Sequence, residues 1–320
     1  MSDDLVTFGE TMLQLSPPND ERLETAHEFE VRAAGAESNA AIAAERLGAV
    51  TTWMSKLPDT ALGHRVDGGL RRYGIDTDVV WTDDEDVRQG TYYLESGGRP
   101  RGTNVVYDRE NAAVTTATPE ELDVDRIRNA QAFYTTGITP ALSPQLRETA
   151  ATLLDTAQQA GTMTAFDVNY RSKLWSAEQA RKTVTQFFQV VDVLVIALKD
   201  ANAILNYEGD ATQLAHHLAS EFEFETVVVT RGDQGALAWN DNVIHEQSAF
   251  ETDTLDPVGT GDAFAGAFLA RRLSGADIQT ALEYGAATAA LKRTIPGDVA
   301  TVTKPEVDAV VNDGTDAISR

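Results

Sequence analysis

Short apolar runs alternate with amphipathic stretches through the middle and end of the chain. Phe133 to Thr135, Met163 to Val168, Val193 to Ile196 and Val227 to Thr230 are continuous and rich in β-formers. Runs this short, apolar without alternation, predict strands buried on both faces, as in a parallel sheet. Between them, Ser143 to Ala160, Ala177 to Val190, and Asp200 to Leu205 with Ala211 to Glu221 carry the helical period. Such βα alternation implies right-handed crossovers and helices on both faces of the sheet. Ala36 to Leu47 is Ala-rich and periodic, and ends at Gly48, where a C-terminal cap glycine belongs.

Two stretches depart from this pattern. Met12 to Val31 carries Pro17-Pro18-Asn19 and alternates apolar with polar residues, as an exposed hairpin does. Gly90 to Tyr107 does the same around Ser96-Gly97-Gly98, with Thr91 to Leu94 and Thr103 to Tyr107 as flanking strands. The expectation is an α/β protein, one three-layer α/β/α unit over residues 1–320. A small discontinuous β-lid, residues 11–33 and 88–109, is inserted in it. No internal repeat interrupts this, and the tail from Asn312 is expected to fray.

Composition narrows the function. The 320 residues include 50 Asp or Glu against 26 Lys or Arg, a net charge of -24. That excess argues against nucleic acid or an anionic membrane as the main partner. Zero cysteine excludes disulfides, thiol catalysis and Cys-ligated metal centres. The N-terminus is acidic with no apolar run, which argues against a signal peptide. The most apolar stretch, Phe187 to Leu198, is broken by Gln189 and Asp192, far short of the ~18 residues of a membrane helix. A soluble cytoplasmic protein is expected. The acidity fits a salt-loving host, where salt screens self-repulsion, or an ordinary acidic cytoplasmic protein. Six Lys against twenty Arg favours the halophile.

The sharpest chemical signal is Asp256-Pro-Val-Gly-Thr-Gly-Asp-Ala-Phe-Ala-Gly266. Two glycines let the backbone turn so that successive amides of Gly259, Thr260 and Gly261 face one concavity, and a helix start adds its positive dipole end. Asp262 falls in the first helical turn. Aspartate is a good helix-start residue whatever the function. A site that only binds phosphate, however, gains nothing from a carboxylate beside the anion. Phosphoryl transfer to an alcohol needs both amides for the transferred group and a base for the hydroxyl proton. No glycine precedes a lysine, so a Walker A loop is absent. Neither His-Arg-Asp nor Asp-Phe-Gly occurs, and no Gly-x-Gly-x-x-Gly follows the first strand, which leaves no dehydrogenase fingerprint.

This segment resembles the second signature of the ribokinase-like (PfkB) carbohydrate kinases. The first signature of that family is matched by Ala34-Gly35-Ala36-Glu37-Ser38-Asn39-Ala40-Ala41, running into Arg46-Leu47-Gly48. The resemblance covers nearly the whole chain. It implies a ribokinase-like α/β/α core with a β-lid, ATP as donor and Mg2+ as counter-ion, with a monovalent cation as an option. Asp262 would be the base and the Gly259 to Gly261 amides the anion hole. Arg231-Gly232-Asp233-Gln234-Gly235 resembles the family's nucleotide-contacting turn, and reads equally as a plain hairpin turn. Where the family carries Asn-x-x-Glu, this chain has Ala197-Leu198-Lys199-Asp200. Asp200 is left between a magnesium role and helix N-capping.

Further stretches resemble the 2-keto-3-deoxygluconate kinases of that family: Tyr107-Asp-Arg109 after the lid, Asn169-Tyr-Arg-Ser-Lys-Leu-Trp175 after a core strand, and Gly297-Asp298 late in the chain. By this resemblance Gly35, Asn39, Tyr92, Tyr107 and Arg171 hold the substrate. Arg109 lies between substrate and γ-phosphate, and Asp298 contacts a substrate hydroxyl. Arginine suits a bidentate grip on carboxylate or phosphate, although Arg109 and Arg171 read also as surface ion pairs. Tyr92 and Tyr107 read also as lid core, and Trp175 as packing. The implied reaction phosphorylates the C6 hydroxyl of 2-keto-3-deoxygluconate, an Entner–Doudoroff step. The alternatives are a neutral-sugar kinase, for fructose or ribose, and a nucleotide-binding protein without kinase activity. Exposed lid strands favour a dimer or a multiple of it.

Overall fold

The structure, a computed structural model, describes residues 3–97 and 100–313. Gly98 of the second lid turn and the tail beyond residue 313 lie outside the described residues. Thirteen described strands follow in chain order: β1 (Leu5–Phe8), β2 (Met12–Ser16), β3 (Glu30–Ala34), β4 (Thr51–Pro58), β5 (Asp76–Thr82), β6 (Thr91–Glu95), β7 (Asn104–Asp108), β8 (Ala132–Thr136), β9 (Met163–Asp167), β10 (Val193–Ala197), β11 (Thr226–Thr230), β12 (Ala236–Asn240) and β13 (Val243–Gln247). Nine form one sheet in the order β13-β12-β11-β10-β9-β8-β1-β4-β5. Seven of these, from β11 through β5, run parallel, and the hairpin β12–β13 continues the sheet antiparallel.

Strand residues alternate between two apolar layers, because successive side chains of a strand point to opposite faces. Leu194, Ile196, Val227 and Val229 pack with Leu146, Leu153, Val184 and Leu214. Val193, Val195 and Val228 pack with Ala40, Phe264, Phe268 and Ala281. Helices therefore cover both faces, the three-layer arrangement that the alternating pattern implies. Their starts are capped by side chains: Ser143 for Pro144–Ala160, Ser176 for Ala177–Phe187 and Asp210 for Ala211–Glu221. Gly48 follows helix Ala36–Arg46 with φ of 99°, as a glycine past a helix end does. Trp175 is buried in the first layer and is packing.

The four remaining strands form a second sheet in the order β3-β2-β6-β7. Antiparallel pairs β2–β3 and β6–β7 are joined by the parallel pair β2–β6. The sheet thus draws its strands from two separate parts of the chain.

Strand order reverses at β1, which has β4 on one side and β8 on the other. That is the switch point of an open α/β sheet, where a crevice opens beyond the strand ends. Glu37, in the first turn of helix Ala36–Arg46, fills the space between them. Its Oε1 accepts from the Thr136 amide at 3.0 Å and from the hydroxyls of Thr136 and Thr139, each at 2.8 Å. Gly9 leaves room for it, since a β-carbon there would overlap the Glu37 carboxyl.

Candidate active site

A cavity of about 820 Å³ opens at the carboxyl ends of the parallel strands, walled on one side by the small sheet. All the residues singled out from the sequence line it. β9 runs out into Asp167, Asn169 and Arg171, β10 into Asp200, and β11 into Arg231. The lid supplies Tyr92 from β6 and Tyr107 from β7, and Arg109 follows β7.

The helix starts at Thr260, and its free amides lie later than the Gly259 to Gly261 set expected from the sequence. Helix Thr260–Leu273 has Gly259 as its N-cap at φ of 76°, a left-handed conformation that glycine adopts without strain. A β-carbon at Gly259 would overlap the Asp298 carbonyl, so glycine is needed for space as well. The Thr260 amide is tied back to the Pro257 carbonyl at 3.4 Å, and its hydroxyl reaches the same oxygen at 2.7 Å. Thr260 therefore shapes the turn. The amides of Gly261 and Asp262 are first-turn donors that a helix leaves without intrahelical partners, and both residues line the cavity.

Asp262 is the third residue of that helix and is buried. Burial raises its carboxyl above the usual range, while Asn39, Arg171, Asn169 and Lys292 favour the ionised form. The Asn39 amide donates to Asp262 Oδ2 at 2.9 Å. Asn39, read as a substrate contact, is thus engaged by the carboxylate itself. The helix start carrying the first signature brings it there, with Gly35 as N-cap pressed against the Glu10 carbonyl.

The arginines divide. Arg109, half-buried, pairs with the buried Glu10, which places its ion pair inside the cavity wall instead of on the surface. Burial raises Glu10, and the Arg109 charge opposes that. Arg171 is exposed, donates to the Tyr170 carbonyl at 3.2 Å, and has no ion-pair partner among the described residues. Its charge acts on Asp167, Asp200 and Asp262 together. Arg231 pairs with Glu246 at 2.7 Å. The Gly232–Gln234 turn joins antiparallel β11 and β12, so the hairpin reading holds, and the turn also lines the cavity.

Tyr92 is buried and its hydroxyl donates to Asp298 Oδ2 at 2.7 Å, while Gln14 donates to Asp298 Oδ1 at 2.6 Å. Asp298 thereby joins core to lid, with burial raising it to about 6. Tyr107 is 37% exposed, which excludes lid core, and its ring lies 5.9 Å from that of Tyr92 and 5.4 Å from the Arg109 guanidinium.

Asp200 is not an N-cap. Ala197 holds that position in Leu198–Ile204, and Asp200 accepts from the Tyr170 amide at 3.2 Å. No three His, Cys, Asp or Glu side chains among the described residues gather to hold a metal ion. Two carboxyls at the strand ends are raised: Asp200 by burial, and Asp167 to about 8 by burial and by Asp262 and Asp200. Sequence reasoning missed Glu10, Gln14 and Asp167. Only the placement of Asp167 at a strand's carboxyl end could have flagged it.

The pfkB family carbohydrate kinase profile matches residues 2–305. A 2-dehydro-3-deoxygalactonokinase from Haloferax volcanii is 59% identical over 320 residues, all of both chains. The crystal structure of a 2-dehydro-3-deoxygluconokinase from Thermotoga maritima superposes with a TM-score of 0.92 at 32% identity, over 97% of this chain and 98% of that one. A ribokinase-II-type protein from E. coli in complex with ATP and Mg2+ shares the fold, with a TM-score of 0.87 at 19% identity, over 97% and 99%. By profile, sequence and fold alike, the chain belongs to the pfkB family of carbohydrate kinases.

Proposed function

We propose that this kinase phosphorylates the terminal C6 hydroxyl of a 2-keto-3-deoxy sugar acid, yielding the 6-phosphate and ADP. The observation that carries the acid-sugar reading is Arg171: an arginine without a carboxylate partner among the described residues, at the mouth of the cavity that holds Asp262. A planar fork of donors suits a substrate carboxylate. Of the cations that line this cavity, Arg109, Arg231 and Arg293 are paired with carboxylates, which leaves Arg171 and Lys199, and only Arg171 offers a planar fork.

Asp262 takes the proton of the attacking hydroxyl. Its raised carboxyl suits general-base work, and Asn39 fixes which oxygen is left free. The Gly261 and Asp262 amides stabilise charge on the group in transit. Asp298 and Tyr92 orient substrate hydroxyls, Gly35 and Tyr107 flank the sugar, and the Arg231 to Gly235 turn borders the nucleotide. ATP would supply the phosphoryl group, and Mg2+, when bound, would offset its charge. Mg2+ commonly takes one or two carboxylates plus phosphate oxygens, and Asp200 and Asp167 fit that donor set. Arg109, already paired with Glu10, positions more than it neutralises.

The motif resemblance is to 2-keto-3-deoxygluconate kinases, and the motifs themselves do not separate the two epimers. The galacto epimer is the second reading, favoured by the 59% identity to the Haloferax galactonokinase. Arg171→Ala is expected to raise KM for the acid sugar at least tenfold and leave KM for ATP within about twofold, whereas Asp262→Asn lowers kcat about 10³-fold. Equal KM effects on both substrates would reject Arg171 as the carboxylate ligand, and near-normal turnover of Asp262→Asn would reject the base.

A further inference from the structure

Lys292 is fully buried, at 0% exposure, in helix Ile278–Arg293. Lysine is almost never found there without a partner. Its Nζ donates to two backbone carbonyls, Asp256 at 2.9 Å and Ile295 at 3.3 Å. These belong to different segments: the loop entering the anion cradle and the turn leading to Asp298. The loop is tied to the end of this helix and the turn after it by four further contacts. The Leu255 and Asp256 amides donate to the Arg293 carbonyl at 2.8 and 3.1 Å. The Asp256 carboxylate accepts from the Gly297 amide at 2.8 Å and, within its own loop, from the Val258 amide at 3.0 Å. Gly259 sits directly against the Asp298 carbonyl.

The charge is surrounded by acid. Asp256, Asp298 and Asp262 all act on Lys292 in the direction of its ionised form, against burial and Arg32, which lower it. Lys292 in turn favours the ionised form of Asp262. A neutral hydrocarbon of the same length would fill this space equally well. What the site uses is the ammonium: a small monovalent cation chelated by main-chain oxygens, beneath amides that must point at developing negative charge.

We propose that Lys292 is a positioning residue, a built-in monovalent cation that braces the anion cradle against the Ile295 to Asp298 turn. The chain then needs no external monovalent ion at this point. This goes beyond the substrate reading and is independent of it, because the cradle serves whichever alcohol is phosphorylated.

The test has an arm that needs no variant. With the sugar that the wild type turns over best, kcat is measured in KCl, NaCl, LiCl and choline chloride at equal ionic strength, with far-UV circular dichroism confirming the fold. The expected result is less than about a twofold spread. A severalfold preference for K+ would overturn the proposal, because an external ion would then be doing the bracing. The second arm uses Lys292→Met, which keeps the stem and loses the charge, and Lys292→Ala, which leaves room for an ion. Lys292→Met is expected to lose about tenfold or more in kcat with both KM values within about threefold, the mark of cradle amides misaligned in the transition state. Lys292→Ala is expected to regain part of its kcat with K+ or methylammonium but not choline. Wild-type kcat in Lys292→Met, or a folded Lys292→Ala that no small cation rescues, would equally overturn it.

Discussion

Glu37 is the most buried acid among the described residues, between the ends of β1 and β8, with three hydrogen bonds to a single oxygen. Burial outweighs those bonds and raises the carboxyl from 4.5 to about 7. The unfolded chain thus releases this proton near pH 4.5, and the folded chain holds it to about 7. Folded Glu37 binds more protons in that window, so its contribution to stability falls as pH rises from 4.5 to 7, by at most about 3 kcal/mol. Glu37→Gln keeps an acceptor for the threonines and removes the titration. Urea unfolding at pH 5 and pH 8 is expected to show the variant gaining on the wild type at the higher pH. Parallel pH profiles would mean that Glu37 ionises normally. Neighbouring Asp167 and Asp298 titrate similarly, so only the difference between the two proteins isolates Glu37. At this scale the sequence is legible where chemistry is local. Asp262 stands out because glycines and a helix start surround it. Glu10 does not, because its partner Arg109 is 99 residues away, and Gln14 meets Asp298 across 284 residues.

Among the elements, the turn into helix Thr260–Leu273 constrains its sequence most tightly. Gly259 combines a φ of 76° with direct contact on the Asp298 carbonyl. Gly259→Ala is expected to displace the cradle and lower kcat by about 10²-fold while the circular dichroism spectrum is retained. Wild-type turnover in that variant would show that the amides need no such turn. The strands at the sheet centre, β8 to β11, were readable as continuous apolar runs because both their faces are covered. β1, only four residues long, and β12–β13, half exposed, lack that signal. Pairing of β2 with β6 was not readable either, since parallel pairing across 78 residues leaves no local trace. The N-capping alternative for Asp200 falls because Leu198–Ile204 starts two residues earlier than its apolar pattern suggests.

At the scale of the whole molecule, the net charge of -24 sets the conditions in which everything else operates. Its self-repulsion acts over about 10 Å at 0.1 M salt and about 3 Å at 1 M. The melting temperature is therefore expected to rise between 0.1 M and 2 M KCl by more than that of a protein of near-zero charge, and a flat response would show that the acidic surface carries no folding cost. The unpaired Arg171 at the cavity leads to the most direct test of the substrate proposal. ADP release is coupled to a chromogenic reaction in molar KCl, with 2-keto-3-deoxygluconate, its galacto epimer, fructose and ribose as acceptors. The prediction is a kcat/KM for one or both acids at least 10²-fold above either neutral sugar, since a site built for a carboxylate leaves Arg171 unmatched without one. Equal or better turnover of fructose or ribose would contradict it.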